Sequence, residues 1–261
     1  MENIDLLSAL ASEPRLEILK LLAGSDLKSA QIAKKLSISL QALTRHTEKL
    51  SEAKLIEKTT DGYKLSSIAK VSLMQIPFFE FLSKNHKYFA NHDFTGVPPH
   101  LVARIGELAE SKLEPEFMKS IQTAREFCID AKKSIYAATC TMPMELFDIL
   151  LEKNKDFEWH NAFGKNTIVA KGFSKYPARK KCFEKFNGDK FKEKIIQNIP
   201  IICAVTENAC QFMFANKEMG QCDMEEGVFF GTDQKSIQWC KELVDYYWNQ
   251  PEIKGFTIKE Q

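Results

Sequence analysis

The chain has 261 residues, of which 44% are apolar and 27% are charged, a composition typical of globular rather than disordered proteins. At roughly 150 residues per domain, this length predicts two domains. No run of about 18 apolar residues occurs, which argues against a membrane-spanning helix and a membrane partner. The first residues are polar or acidic around Ile4 and contain no apolar signal core, so we expect a cytoplasmic protein.

The cysteine pattern favours reduced thiols over a disulfide framework. Seven cysteines is an odd number, and no two have the C-x-x-C spacing. Cys203 and Cys210 lie in apolar segments, where ordinary buried thiols are expected. Cys222 lies in the polar segment Gly220-Gln221-Cys222-Asp223, so we expect it to be the most exposed cysteine and the one to test for redox sensing.

The near balance of 36 basic and 35 acidic residues hides two basic blocks. Residues 28–70 carry nine basic and four acidic side chains, and residues 165–194 carry ten and three. A basic block suits phosphate binding, but a solvated helix face has the same composition. For Arg179-Lys180-Lys181 we expect a solvated face, and contact with flanking DNA or an anionic ligand is the alternative.

The N-terminal segment begins with two predicted helices. Apolar residues at helical spacing predict the first helix from Asn3 to about Ala11. Ser12 is a good N-cap for the second, and Pro14 fits its first turn, where the missing N–H costs no hydrogen bond. Gly24 is expected to close this second helix.

Two further short helices follow, joined by three residues. The third helix is predicted to begin after Ser29 as N-cap and to include residues 30–36. Ser37-Ile38-Ser39 forms the turn, and Ser39 can cap a fourth helix over residues 40–53. Two short helices joined in this way are the signature of a helix-turn-helix.

The fourth helix has one apolar and one polar face. The residues predicted to face the preceding helices are Leu40, Leu43, Thr47 and Leu50. The residues on the opposite face are Gln41, Ala42, Arg45, Glu48 and Lys49, with Thr44 and His46 at the seam. A polar and basic face that starts just after an N-cap suits a helix end that enters a DNA major groove.

A hairpin is predicted next, because Asp61-Gly62 separates two alternating segments. Helices followed by a hairpin form a winged helix-turn-helix, here predicted over residues 1–68, with residues 39–53 as recognition helix and 55–66 as wing. Lys58 and Lys64 would reach phosphate or the minor groove. The alternative is a winged-helix module that docks a protein and does not bind DNA.

Three stretches of this segment resemble the ArsR-type winged-helix repressors: residues 8–22 (SALASEPRLEILKLL), Thr44-Arg45-His46 before Leu50, and residues 53–56 before the wing. The resemblance covers residues 5–66 and implies a double-stranded DNA partner. The contacts it implies on the recognition helix are Ser39, Gln41, Thr44, Arg45, His46 and Lys49, and we add Lys58, Tyr63 and Lys64 of the wing. Metal-sensing members carry a cysteine pair on the preceding helix. Residues 30–36 hold none, which excludes thiolate metal sensing there.

Residues 69–92 are predicted to connect this domain to a larger one. Residues 67–89 read as one long apolar helix, kinked at Pro77. Its aromatic residues could pack on the same chain, on the second domain or on a second copy of the chain. In residues 93–261, helices and strands alternate and then strands cluster, which predicts a mixed α/β domain for dimerisation or effector binding.

The larger segment is similar to a second, narrower family. Residues 92–94 and 97–108 resemble the effector region of archaeal winged-helix regulators named for a methanogenesis regulatory protein and its "middle domain". The later residues that agree with this pattern are Gly220, Asp223, Gly231, Asp233, Trp239, Leu243, Tyr247 and Trp248. A looser likeness exists to sugar-responsive archaeal regulators, whose C-terminal domain is phospholipase-D-like in fold. No H-x-K-x₄-D motif accompanies it, so phosphodiesterase chemistry is not expected.

Several groups of residues are candidates for ligand or catalytic sites. Trp159, Asp223 and Trp239 are candidates for an effector pocket, but Trp239, Leu243 and Tyr246 are also spaced as a core-facing helical stripe. Three histidines are expected to be scattered on the surface rather than to bind metal; they are His86, His92 and His100. No phosphate-binding, dinucleotide or nucleophile-elbow motif occurs, and we expect neither catalysis nor a cofactor.

Taken together, the sequence predicts an α+β protein: an N-terminal winged helix-turn-helix followed by a mixed α/β effector or dimerisation domain. The predicted function is sequence-specific transcriptional regulation by a homodimer, with a small-molecule effector as a further expected partner.

Overall fold

The computed structural model describes residues 3–186, 188–256 and 258–261, with side chains from Leu6 onward. It divides into two compact units, Met1–Phe79 and Glu80–Gln261. The fold is mixed α+β, with a winged helix-turn-helix in the first unit and a large sheet in the second. No helix among the described residues is long and apolar enough to cross a membrane.

The first unit consists of short helices and one hairpin. Its helices are α1 (Asn3–Leu10), α2 (Glu13–Gly24), α3 (Ser29–Leu36), α4 (Leu40–Glu52) and α5 (Ser67–Met74). Its strands are β1 (Ile56–Thr59) and β2 (Gly62–Leu65), which pair antiparallel. The predicted order of helices, turn, helix and hairpin is therefore confirmed.

The core of the first unit follows the apolar spacing of its helices. Ile18, Leu19 and Leu22 of α2, Ile32 and Ala33 of α3, and Leu43 and Leu50 of α4 are all buried in one cluster. The prediction was wrong for Leu40, which is 56% exposed. Leu40 is the first residue of α4, and the buried stripe begins only at Leu43, one turn later.

The N-caps are confirmed in part. Ser39 caps α4 with its side chain, as predicted, and Ser12 is the N-cap residue of α2. The cap of α3 is Lys28 rather than Ser29, which is the first helical residue. The Gln31 side chain replaces the predicted serine cap, because its Oε1 accepts a hydrogen bond from the Lys28 backbone N–H at 2.8 Å.

The wing is held by a third backbone segment. Leu27 forms a bridge with Tyr63, with Tyr63 N–H donating to Leu27 O at 2.9 Å and Leu27 N–H to Tyr63 O at 3.2 Å. Gly62 lies beside this crossing with φ +138°, and a Cβ there would lie 2.2 Å from Leu27 O. Only glycine fits this close approach and this backbone conformation.

We therefore expect Gly62→Ala to loosen the wing and to cost about 1–3 kcal/mol of unfolding free energy, through backbone strain. Hydrogen exchange of the amides of Leu27 and Tyr63 is the measurement. Gly24→Ala is the matched control, because a Cβ at Gly24 meets nothing within 4 Å. Equal exchange rates in the two variants would contradict this account of Gly62.

The second unit has a longer list of elements. Helix α6 (Ile76–Lys84) runs across the boundary between the two units. The other helices are α7 (His86–Asn91), α8 (Pro99–Val102), α9 (Phe117–Asp130), α10 (Leu146–Leu151), α11 (Pro177–Lys185) and α12 (Gln234–Trp248), with 3-10 turns at Ile105–Leu108, Phe173–Lys175 and Met224–Glu226. The strands are β3 (His92–Asp93), β4 (Lys112–Glu114), β5 (Ser134–Thr139), β6 (Glu158–Gly164), β7 (Ile168–Val169), β8 (Phe191–Ile196), β9 (Ile202–Val205), β10 (Cys210–Met213), β11 (Ala215–Asn216), β12 (Val228–Gly231) and β13 (Lys259–Glu260).

The described part of this unit contains a seven-stranded mixed sheet. Its order is β4-β12-β10-β9-β5-β6-β8. Strands β5, β6 and β8 run parallel, and the remaining neighbours pair antiparallel. The mixed sheet that the alternation of elements predicted is thus present.

Helices cover both faces of the sheet. On one face, Cys203 of β9 donates its thiol hydrogen to the carbonyl of Cys240 on α12 at 3.5 Å, and the buried ring of Phe212 stacks on Phe229 at 5.0 Å. The other face packs against α9, α10 and α11 through a cluster that includes Phe127, Phe147 and Cys182. The core of this unit therefore has two layers, one on each side of the sheet.

The connector differs from the single kinked helix predicted. Residues 67–91 form three helices, with breaks at Gln75 and Asn85. Pro77 is the second residue of α6, where a proline needs no N–H donor, so it starts a helix rather than kinking one. The segment after the connector, within residues 97–108, forms α8 and a 3-10 turn.

The cysteine prediction was wrong for one pair. Cys140 and Cys222 form a disulfide, and Cys222 is only 6% exposed. Cys140 follows β5 and Cys222 precedes a 3-10 turn, and both fold into a small apolar cluster around Met213. Their separation of 82 residues gives no sign of this proximity in the sequence. The other five cysteines are buried free thiols, as expected for Cys203 and Cys210.

His92 also departs from its predicted surface position. It is 2% exposed, its ring stacks on Tyr88 at 3.7 Å, and its Nε2 lies 3.2 Å from a carboxylate oxygen of Glu226. The short strand β3 pairs with β11 and carries His92 inward. Among the described residues, no group of three or more acidic, cysteine or histidine side chains is placed to hold a metal ion.

Candidate nucleic-acid interface

The helix-turn-helix angle is set by the backbone of the turn. Ser37 adopts a left-handed conformation with φ 54°, and its N–H donates to Lys34 O at 3.3 Å. Ile38 N–H donates to Ala33 O at 3.1 Å, which closes α3. Ser39 Oγ then accepts from Ala42 N–H at 3.1 Å and starts α4. Each of the three turn residues therefore takes part in ending α3 or in starting α4.

The predicted contact residues of α4 share its outward side. Leu43, Thr47 and Leu50 are 2% exposed or less and anchor the inner face. Ser39, Gln41, Thr44, Arg45 and Lys49 are exposed, and His46 is half-buried. Because the inner face is fixed by burial, the first two turns of the outer face are presented to solvent as one polar surface.

Charge divides this outer face along the helix. Arg45 lies near the N-terminal half, whereas Glu48 and Glu52 follow toward the C-terminus. Lys49 Nζ lies 2.8 Å from a carboxylate oxygen of Glu52, and this hydrogen bond raises the pKa of Lys49. The charge of Lys49 is thus partly neutralised by Glu52.

Arg15 anchors the start of the unit beside α4. Its guanidinium donates to Ala9 O at 2.8 Å and to Ser8 O at 2.7 Å, at the C-terminal end of α1. The same groove is lined by Arg45 and His46. The sequence resemblance included Arg15 within residues 8–22 but gave it no role; in the structure it holds the C-terminal end of α1 close to α4.

The wing carries the remaining predicted contacts. Lys58 is exposed on β1, and Lys64 on β2 pairs with Glu57 across the hairpin at 3.0 Å. Tyr63 is half-buried, because its backbone bridges Leu27 and its ring packs against the core of the first unit. Lys58 is therefore the wing cation best placed for phosphate, and Lys64 shares its charge with a neighbouring carboxylate.

The predicted effector-pocket residues are not brought together. Trp239 is a fully buried residue of α12 and donates its indole N–H to Leu101 O at 2.9 Å. Asp223 accepts a hydrogen bond from Glu225 N–H and caps a 3-10 turn. Trp159 lines a cavity on the sheet face below α9, and the residues that line this cavity include neither Asp223 nor Trp239. The buried stripe of α12 continues to Tyr247 rather than to Tyr246, which is 41% exposed.

In the second basic block, residues 165–194, one cation has a structural role. Arg179 forms an ion pair with Glu193 of β8 and lies over the rings of Phe173 and Phe183 at 5.3 and 5.0 Å. Burial raises the pKa of Glu193 despite the neighbouring guanidinium. Arg179 thus fixes α11 to the sheet, which corrects its expected place on a solvated face; Lys180 and Lys181 are exposed.

Comparisons with known proteins bear on the first unit. Residues 12–58 match the family model described as bacterial regulatory protein, arsR family. This match confirms the predicted ArsR-type helix-turn-helix over that segment. A comparison with curated proteins found no match.

Two solved structures are similar at low identity. TrmBL2, described as an archaeal chromatin protein with a novel mode of DNA binding, has 12% identity and a TM-score of 0.36, over 95% of this chain and 98% of that one. A protein from Nostoc punctiforme PCC 73102 that is described as a putative O-methyltransferase has 15% identity and a TM-score of 0.25, over 73% of this chain and 61% of that one. Both scores are too low to carry an argument about function.

Replacement of Arg45 by alanine is expected to weaken binding to a specific DNA site by about 1–3 kcal/mol, because the variant loses a guanine-edge contact. Fluorescence anisotropy with the specific site and a scrambled duplex is the measurement. Glu48→Ala, one turn away on the same face, is the matched control and is expected to bind no more weakly. The expected loss holds if Arg45 contacts a guanine edge, and unchanged affinity of Arg45→Ala would overturn that assignment.

The wing is expected to contribute affinity without sequence preference. Lys58→Ala should weaken binding to both duplexes and lower the slope of log affinity against log salt by about 0.9 for one lost phosphate contact. Glu57→Gln should strengthen binding to both, because it frees Lys64. A loss confined to the specific duplex would show that the wing reads bases rather than phosphates.

Proposed function

We propose that the protein is a sequence-specific DNA-binding transcriptional regulator. In this proposal the N-terminal half of α4 enters the major groove, and the wing follows the backbone or the minor groove. The observation that carries the proposal is the exposed face around Arg45 at the start of α4, within the segment that matches the ArsR family model.

Charge supports a nucleic-acid partner for this unit. The excess of basic residues in 28–70 coincides with the helix-turn-helix and the hairpin. A protein-docking winged helix would need no such excess on these two elements. The proposed partner is double-stranded DNA, the proposed location is the cytoplasm, and no catalytic step is proposed.

Dimerisation is the second part of the proposal. Helix α5 exposes three apolar side chains at helical spacing, namely Ile68, Val71 and Met74, which are 45%, 62% and 73% exposed. One winged helix seldom buries enough surface for regulatory specificity, and two-fold DNA sites suit dimers. We propose that the regulator acts as a homodimer, and that its second unit contributes to dimerisation or effector sensing, as in the archaeal regulators that residues 92–108 resemble.

The same apolar stripe favours a second candidate function, a winged-helix module that docks a protein partner. Salt dependence separates the two, because phosphate contacts release counterions and an apolar docking surface does not. DNA binding through several phosphate contacts must therefore weaken steeply as salt rises.

The test is selection of genomic DNA fragments by the purified full-length protein, followed by salt titration on enriched fragments. We expect a two-fold site with half-sites about 10 base pairs apart and a salt slope of several units. Failure to enrich any fragment, together with salt-insensitive retention of a protein partner, would overturn the proposal in favour of the docking module.

A further inference from the structure

The second unit contains an apolar cavity on one face of its large sheet. The cavity has a volume of about 280 Å³ and lies between α9 and one face of the sheet. Ile121 and Phe127 of α9 line one side, and strands β5, β6, β9 and β10 line the other. An apolar cavity of about 150 Å³ can already hold benzene, and ligand pockets begin at about 300 Å³. The space therefore suits a small organic molecule.

The floor of the cavity is one row of the sheet. Asn161 of β6 pairs with Ala137 of β5, Ala137 with Ala204 of β9, and Ala204 with Gln211 of β10. All four residues line the cavity. Two alanines in the middle of the row leave space that larger side chains would fill, and an amide stands at each end. With strands about 4.8 Å apart, the backbones of Asn161 and Gln211 lie roughly 14 Å apart along the row.

Both amides present an unsatisfied acceptor. Asn161 is 1% exposed and Gln211 is 8% exposed, yet Asn161 Oδ1 and Gln211 Oε1 have no hydrogen-bond partner among the described residues. The Asn161 amide nitrogen donates to Thr139 Oγ1 at 3.4 Å, which leaves Oδ1 as the atom without a partner. An unpaired buried acceptor is unfavourable because it has lost its hydrogen bonds to water, so two in one cavity point to a ligand that supplies donors.

From this cavity we infer a binding site for a neutral, mostly apolar molecule, such as an aromatic heterocycle, that carries at least one N–H or O–H donor. The apolar walls bind its body, and the amide oxygens of Asn161 and Gln211 accept from its donors. Arg125 and Glu145 also line the pocket and are exposed, whereas the floor residues carry no charge. A charged ligand would lose its hydration against this floor, which favours a neutral one. The role of this site as the effector site of a regulator rests on the proposed function; binding itself does not.

The test compares two molecules of nearly the same shape. Indole carries an N–H donor, and benzofuran has an oxygen acceptor in its place. Binding of each to the full-length protein is measured without DNA, by calorimetry and by the shift in melting temperature. We expect saturable binding of both, with indole at least tenfold tighter. Equal affinity would overturn the role of the amide oxygens, and the absence of saturable indole binding would overturn the site.

Replacement of the two amide side chains separates the contribution of the hydrogen bonds to binding from that of the apolar space. The double variant Asn161→Leu/Gln211→Met removes both acceptors and keeps similar volumes, a change that is often neutral for stability. We expect it to bind benzofuran as the natural protein does and to lose the preference for indole. A preference that survives in the folded double variant would contradict the assignment.

Two neighbouring alanines on β5 provide a test variant and a matched control for the presence of open space in the cavity. Successive side chains on β5 point to opposite faces, so Ala137 faces the cavity and Ala138, which is 0% exposed, faces the packed side. Ala137→Leu is expected to abolish binding of both probes without lowering the melting temperature, whereas Ala138→Leu should lower it by overpacking. A comparable loss of melting temperature in both variants would show that no usable space exists above Ala137.

These binding measurements contain no DNA, so their outcome does not depend on whether the proposed function is correct. Saturable indole binding by a protein that selects no genomic fragment would retain the site and overturn the regulator. Selection of genomic fragments by a protein that binds neither probe would support the regulator and overturn the site. When both succeed, a change in DNA affinity on adding indole that is absent in Ala137→Leu would establish this cavity as the effector site.

Discussion

Burial of one face of α4 is the constraint on which the rest of the first unit depends. Leu43, Thr47 and Leu50 are withdrawn from water, so the rotation of the helix about its axis is fixed. The opposite face must then point outward, whatever side chains it carries. The turn at Ser37 leaves no freedom between the two helices, since its hydrogen bonds close α3 and Ser39 opens α4. The outward face is thus presented in a defined direction by packing, before any charge is considered.

Charge then decides how that face can be used. The carboxylates of Glu48 and Glu52 would repel phosphate on the C-terminal half of α4, and Glu52 already holds Lys49. Residues 40–47 of α4 contain no acidic side chain, and Glu48 is the first carboxylate after Arg45. Glu57 similarly reduces the attraction of Lys64 on the wing. A net basic block is therefore a coarse guide, and the positions of its ion pairs determine which cations are available to a phosphate.

The sequence predicts what depends on local spacing and fails where distant segments meet. The period of Leu43 and Leu50, the cap at Ser39 and the hairpin at Gly62 are local, and the structure confirms them. The burial of His92 and the disulfide of Cys140 depend on partners more than 80 residues away. The floor of the cavity is beyond sequence reasoning for the same reason, because the row that contains Asn161 and Gln211 exists only once the strand register is known.

The central claim is that the start of α4 reads bases in the major groove. Its most direct test is protection of guanine N7 from methylation on an enriched DNA fragment, because N7 lies in the major groove. The account predicts protection in two half-sites by the natural protein, with at least one guanine in each half-site losing protection in Arg45→Ala at saturating protein. Binding that leaves every guanine N7 open to methylation would contradict it.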